Sequence, residues 1–263
     1  MSTISYAVAD SATMLRRQLR HMQRYLSMTL MLIGMPIVFL LLFVYVFGGT
    51  LGAGLGGPAG GRAEDVAYVT PGILLIAVAS GAMGTAIAVA MDMTEGIVAR
   101  FKTMAIFRPS VLTGQVLGSM VQTMLSLVVV VAVALLIGFR PSATPVEWVA
   151  VAAVLAAITF ALTWLCVAFG LVAKSVEAAS NLPQPLVFLP FLGSGFVPTD
   201  SMPTGLRWFA EYQPFTPMMD TVRGLLLGTA IGNSGVIALA WCAAIALVGY
   251  LWSRRLYNRD PIR

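Results

Sequence analysis

Charged side chains are scarce. Asp, Glu, Lys and Arg make up only 10% of the 263 residues, against about 25% in a soluble domain. A chain this poor in charge cannot cover a globular surface of its size, so a soluble fold is excluded. Histidine occurs once, at His21. One imidazole cannot supply an HExxH zinc site, and His21 sits in a basic stretch outside the apolar runs, where no intramembrane Ser–His pair could form. A solvated or headgroup-facing ring is its plain reading. Lysine occurs only at Lys102 and Lys174, and no GxxxxGK[ST] loop is present, so the chain has no phosphate cradle and is not expected to hydrolyse ATP itself. The two cysteines, Cys166 and Cys242, lie inside apolar runs and read as small buried residues with no implied disulfide.

Apolar length stands in place of charge. Hydrophobic residues make up 59% of the chain and gather into runs of about 20, enough for a helix to cross roughly 30 Å of hydrocarbon. Six runs read as spans, at 27–47, 68–91, 111–137, 148–173, 178–197 and 235–252. The gaps are too short for a soluble domain, so residues 1–263 are expected to form one all-α integral membrane domain. The first run is too long for a cleavable signal and follows a basic segment. Pro36 should kink the first span, and Pro183, Pro185 and Pro190 should break the fifth. The second span has a small-residue face of Ser80, Gly81, Gly84, Thr85 and Ala88, which lets another helix come close. The third carries Gln115, Ser119, Gln122 and Ser126 at helical spacing, and in the fifth Asn181, Gln184 and Phe188 share a face. Such a polar stripe should meet protein or water. These residues are the substrate-path candidates; bonding to neighbouring helices is the alternative for each.

The segments between spans have their own patterns. In 11–26, Leu15, Leu19, Met22 and Leu26 oppose Arg16, Arg17, Arg20 and Arg24, a basic amphipathic helix suited to the headgroup plane. In 48–61, Gly52, Gly54 and Gly57 match GxGxxG, but no strand precedes them, and the stretch reads as a flexible external loop. In 92–108, Asp92 can serve as an N-cap with Glu95 at capping-box spacing. Ile97, Phe101, Met104 and Ala105 then form one apolar face, Arg108 suits the C-terminal dipole, and Pro109 stops the helix. Two readings fit this short helix: a structure resting on lipid or on the spans, and a contact surface for a cytoplasmic partner. Residues 198–233 hold Pro198, Pro203, Pro214 and Pro217 with Trp208, Phe209, Tyr212 and Phe215 between them, as expected of two short helices at a membrane interface. Within that region Asp220 and Arg223 are spaced for a local ion pair. Glu211 reads as an interfacial carboxylate or as an attractor of cationic compounds.

Twelve of the Lys and Arg residues fall on one side of the six runs, in 11–26, 92–108, the turn at Lys174 and the tail with Arg254, Arg255, Arg259 and Arg263. Four fall on the other: Arg62, Arg140, Arg207 and Arg223. The positive-inside bias then places both termini and 92–108 in the cytoplasm. It also accounts for the net charge of +5 without a nucleic-acid partner. No ionisable side chain lies deep in a span, which argues against ion-coupled transport. A transporter lacking both that and its own ATPase needs an external engine, which favours the partner-surface reading of 92–108.

The order of segments resembles an ABC-2 type transporter permease, closest to the daunorubicin-resistance type of drug-efflux permease. Two stretches carry the resemblance. One is 92–108, with Glu95-Gly96 and Arg100-Phe101-Lys102. The other runs from Gly193-Ser-Gly-Phe-Val-Pro198 through Met202-Pro203 and Gln213-Pro-Phe-Thr-Pro217 to Val222-Arg223. The resemblance implies six transmembrane helices, an N-terminal interfacial connecting helix at 11–26, a cytoplasmic coupling helix at 92–108 and an external re-entrant hairpin at 198–233 before the last span. It further implies that Asp92, Glu95, Gly96, Arg100, Phe101 and Lys102 couple to a cytoplasmic ABC ATPase subunit, which would hold the ATP and Mg, with no cofactor on this chain. A second permease subunit, identical or related, would complete the pathway. The implied function is efflux of a hydrophobic or amphipathic compound, as in multidrug or antibiotic resistance, across a bacterial cytoplasmic membrane. The alternative is an ATPase-independent channel, assembly factor or receptor.

Overall fold

The computed structural model describes residues 26–47, 62–96, 108–196 and 202–258. The basic segment before Leu26, the glycine loop 48–61, residues 97–107 with Arg100, Phe101 and Lys102, and the end of the tail lie outside this set. The described residues are helical, without a strand. Helix α1 (Leu26–Leu41) runs into a π-helical turn (Leu42–Val46). Then come α2 (Arg62–Thr94), α3 (Arg108–Ile137) and α4 (Pro145–Val172). The short α5 (Val176–Asn181) and α6 (Gln184–Phe188) follow, with a 3₁₀ turn at Leu189–Leu192. The chain closes with α7 (Thr204–Tyr212), α8 (Phe215–Leu227) and α9 (Ser234–Asn258).

α2 is the central element. It packs against α1, α3, α4, α5, α6 and α8, and every residue from Ile73 to Ala79 is buried. In its most apolar stretch 72% is buried, against 17% in α9, so α2 is an axis and α9 lies at the rim. Pro71 sits inside α2 without ending it. Its missing N–H leaves the Ala67 carbonyl without its ladder donor, a defect that membrane helices tolerate where neighbours enclose it. The start of α4 is fixed by Thr144 and Glu147: the Thr144 N–H donates to Glu147 Oε2 at 2.6 Å, and the Glu147 N–H donates to Thr144 Oγ1 at 3.4 Å. This is a complete capping box with Pro145 in the first turn, and it starts the fourth span three residues earlier than the apolar run does.

One expectation is met in coarser form and two change. First, four helices are long and apolar enough to cross a membrane among the described residues: Asp65–Thr94, Leu112–Ile137, Pro145–Val172 and Ser234–Tyr257. The first run supplies a shorter apolar helix, Leu32–Val46. The fifth is divided into α5, α6 and a 3₁₀ turn, because Pro183, Pro185 and Pro190 each remove a ladder donor. Second, Asp92 is not an N-cap. α2 continues through Thr94 because no breaker precedes Gly96. The Glu95 N–H donates to the Met91 carbonyl at 2.9 Å and the Gly96 N–H to that of Met93 at 3.2 Å. Gly96 has φ +71, the left-handed position that closes a helix. Third, Arg108 and Pro109 do not end a helix. They open α3, where a proline N–H would have no intrahelical partner anyway.

α4 and α9 touch at the backbone. A Cβ on Gly249 would lie 2.6 Å from the Leu165 nitrogen and 2.7 Å from the Trp164 carbonyl carbon. Beside this contact, Ser253 Oγ donates to the Trp164 carbonyl at 3.3 Å, and Trp164 meets Tyr250 edge-on at 5.1 Å. Substituting Gly249→Val should therefore cost more than the ~1–3 kcal/mol of ordinary overpacking, since the obstacle is main chain. Gly84, whose added Cβ would meet nothing within 4 Å, is the control. Thermal unfolding in mild detergent should show a large loss of Tm for Gly249→Val, and no loss or a slight gain for Gly84→Ala.

Candidate functional site

The polar candidates fall into separate places. On α3, Ser119 and Ser126 are buried, while Gln115 and Gln122 are half-buried. Ser119 Oγ shares a short hydrogen bond with Thr85 Oγ1 of α2. One turn along, a methyl on Gly81 would run into Thr123. A step back along α2 is thus a step forward along α3, so the two helices are antiparallel, with the C-terminal end of α2 and the N-terminal end of α3 on one side. Thr123, 1% exposed, joins this seam, and its hydroxyl and that of Ser126 have no partner among the described residues. Asn181, Gln184 and Phe188 are all exposed. They sit on α5 and α6, either side of the break at Pro183, and these helices pack on α2.

The end of the molecule where α2 stops and α3 starts holds a small apolar cluster of Val89 (α2), Leu112 and Val116 (α3), Trp164 and Val167 (α4) and Tyr257 (α9). The cluster brings the C-terminal end of α9 to the same side as the α2–α3 break. Asp92 is half-buried there and Glu95 is exposed.

A second polar constellation lies at the opposite end of α2. Arg223 of α8 pairs with Asp220 at 3.2 Å, as its sequence spacing predicts. It does more. Arg223 Nη2 donates to the Ser194 carbonyl at 2.6 Å and to the Tyr68 carbonyl at 3.5 Å. Its guanidinium carbon stands 4.6 Å from the centre of the Tyr68 ring, within cation–π range. Ser194 Oγ donates to Asp220 Oδ1 at 2.7 Å, and the Tyr68 hydroxyl donates to the Ser194 carbonyl at 3.3 Å. Three distant segments meet here: α2, α8 and the turn after the 3₁₀ helix. The side chain of Arg223 is 17% exposed and that of Asp220 38%, so the carboxylate faces out and the guanidinium faces in. Spacing along α8 revealed the ion pair. The partners Tyr68 and Ser194 carry no local signal, because they are brought in by tertiary packing. Glu211 is engaged by Arg207 at 2.7 Å on the exposed α7. α8, by contrast, is buried along most of its length.

Long apolar helices around an apolar axis define a multi-pass membrane protein. Residues 11–227 match the ABC-2 type transporter family, and the chain belongs to that family, whose members are the membrane subunits of transporters rather than their ATPases. It is 26% identical over 199 residues to a daunorubicin resistance ABC transporter permease protein of Streptomyces coeruleorubidus, covering 75% of this chain and 70% of the relative. It is also 26% identical over 186 residues to a probable doxorubicin resistance ABC transporter permease protein of Mycobacterium tuberculosis, covering 68% of this chain and 65% of that relative.

The seam between α2 and α3 gives a direct check. In a double-mutant cycle of Thr85→Val and Ser119→Ala, unfolding in detergent should show a coupling of about 0.6 kcal/mol, the usual size for a hydrogen bond between membrane helices. Additive losses would show that the two hydroxyls contribute independently.

Proposed function

We propose that this chain is the permease subunit of an ATP-driven exporter that moves a hydrophobic or amphipathic compound out across a bacterial cytoplasmic membrane. Family membership over residues 11–227 carries the reading. In it the protein has six spans: the four long helices, α1 with the π-helical turn that follows it, and the proline-broken α5–α6 run. Both termini face the cytoplasm, consistent with the excess of Lys and Arg in the segments on that side. The shared side of the α9 terminus and the α2–α3 break agrees with this arrangement.

A separate ABC ATPase, holding ATP and Mg, docks on residues 92–108, with Glu95, Gly96, Arg100, Phe101 and Lys102 as contacts and Asp92 at the α2 end. A second permease, identical or related, completes the path. Closure of the ATPases moves the docked segment as a rigid body and shifts the balance between inward- and outward-open states. The polar α2–α3 seam, with Gln115 and Gln122 half-buried beside it, and the exposed Asn181, Gln184 and Phe188 supply the surfaces that substrate meets.

Gentle purification from native membranes tests the engine. A P-loop ATPase should co-purify at equal stoichiometry. Substituting Glu95, Arg100 or Phe101 by Ala should lower export per ATP hydrolysed by about 5–150-fold, the usual range of a coupling free energy, with membrane insertion intact. A preparation without any ATPase, under conditions that preserve a known complex of this kind, would favour the ATPase-independent reading. For the path, Gln122→Ala should change the relative export rates of two substrates several-fold. An unchanged ratio with lower protein yield would assign Gln122 to packing.

A further inference from the structure

The constellation around Arg223 sits at the far end of the same helix that carries the coupling segment. Tyr68 and Val89 are separated along α2 by about 30 Å at helical rise, roughly the hydrocarbon thickness. Between them α2 stays helical through Pro71 and is buried for most of its length, so displacement at the coupling end is carried along α2 toward Tyr68. At that far end α8, the Gly193–Phe196 turn and α2 meet through a polar set beside the apolar packing of Gly195 and Phe196 on Gly72: one ion pair within α8, three hydrogen bonds to the Ser194 and Tyr68 carbonyls, one hydrogen bond to Asp220 and a cation–π contact. Apolar packing, once parted, leaves poorly filled space. Polar groups can exchange partners for water, and the Asp220 side chain, 38% exposed, is the open side of this cluster. The Ser194 carbonyl accepts from both Arg223 and Tyr68, so α8 and α2 share one acceptor on a turn flanked by Gly193 and Gly195. Movement of that turn frees the Arg223 and Tyr68 side chains from their shared acceptor together, leaving the Arg223–Tyr68 contacts as the direct tie between α8 and α2.

We propose that Tyr68, Ser194, Asp220 and Arg223 form an outer latch that is closed in this structure and parts in each transport cycle, with Arg223 as its positioning residue. The proposal rests on the exporter reading. It predicts that the Ser194 side chain, 8% exposed here, becomes accessible from outside when the ATPases close.

The test uses the full permease–ATPase complex in lipid nanodiscs, with the buried Cys166 and Cys242 replaced by Ala and Ser194→Cys introduced. This substitution keeps the carbonyl that Arg223 grips. Labelling by a membrane-impermeant maleimide is timed without nucleotide and with ATP plus vanadate. Labelling should be about tenfold faster in the trapped state. Adding Arg223→Lys, whose ammonium cannot reproduce the guanidinium fork, should raise the nucleotide-free rate toward the trapped one. The unsubstituted complex, followed by hydrogen exchange, should show faster exchange in the 191–196 segment on trapping, which keeps the test open if the cysteine variant folds poorly. Equal labelling and equal exchange in both states, with ATP-driven transport intact, would overturn the latch alone. Absence of ATP-driven transport in the unsubstituted complex would overturn the exporter reading and the latch with it.

Discussion

Helices in lipid gain little by burying leucine against leucine, because the acyl chains they displace are equally apolar. The position of α2 at the centre of this protein therefore depends on what lipid cannot offer: backbone approach close enough to exclude a methyl group, and hydroxyls that find partners only on another helix. Gly81 and Thr85 supply both toward α3. Gly249 and Ser253 supply both between α9 and α4, and α4 in turn packs along α2. The packing is then referred to one axis, with the break between α2 and α3 at one end and the Arg223 cluster gathered at the other.

Much of this architecture is legible from composition and run length. Scarce charge and 20-residue runs mark the long helices, and the small-residue face of the second run marks where another helix comes close. Local chemistry is read less well when two signals compete. Asp92 and Glu95 have the spacing of a capping box, but the helix arriving from Tyr68 has no reason to stop before Gly96, and continuation wins over initiation. Pro109 is ambiguous in the same way: a proline after a helix and a proline opening one look alike in sequence. The box at Thr144 and Glu147 precedes the apolar run, so run length alone does not mark it.

The polar residues divide along a similar line. Ser119 and Ser126 lie on the hidden face of α3, as their spacing on a polar stripe implies, yet Ser119 is occupied by Thr85. Thr123 escapes a stripe drawn at i, i+4 and i+7, although it lies on the same seam. Asp220 and Arg223 could be paired from spacing alone, while Tyr68 and Ser194 could not, since 126 residues of chain separate them. Sequence periodicity shows which face of a helix is polar. Only the packing shows what that face touches.

The inner apolar cluster has a consequence for the surroundings of the docking segment. Because Tyr257 is packed with Val89 and Leu112, the basic end of α9, with Arg254 and Arg255 exposed, borders the C-terminal end of α2 and the start of α3. A protein seated on that segment meets a cationic rim on this flank, so an acidic margin would be drawn into register and a basic one pushed away. Under the proposed docking, the end of α9 would contribute to the choice of subunit.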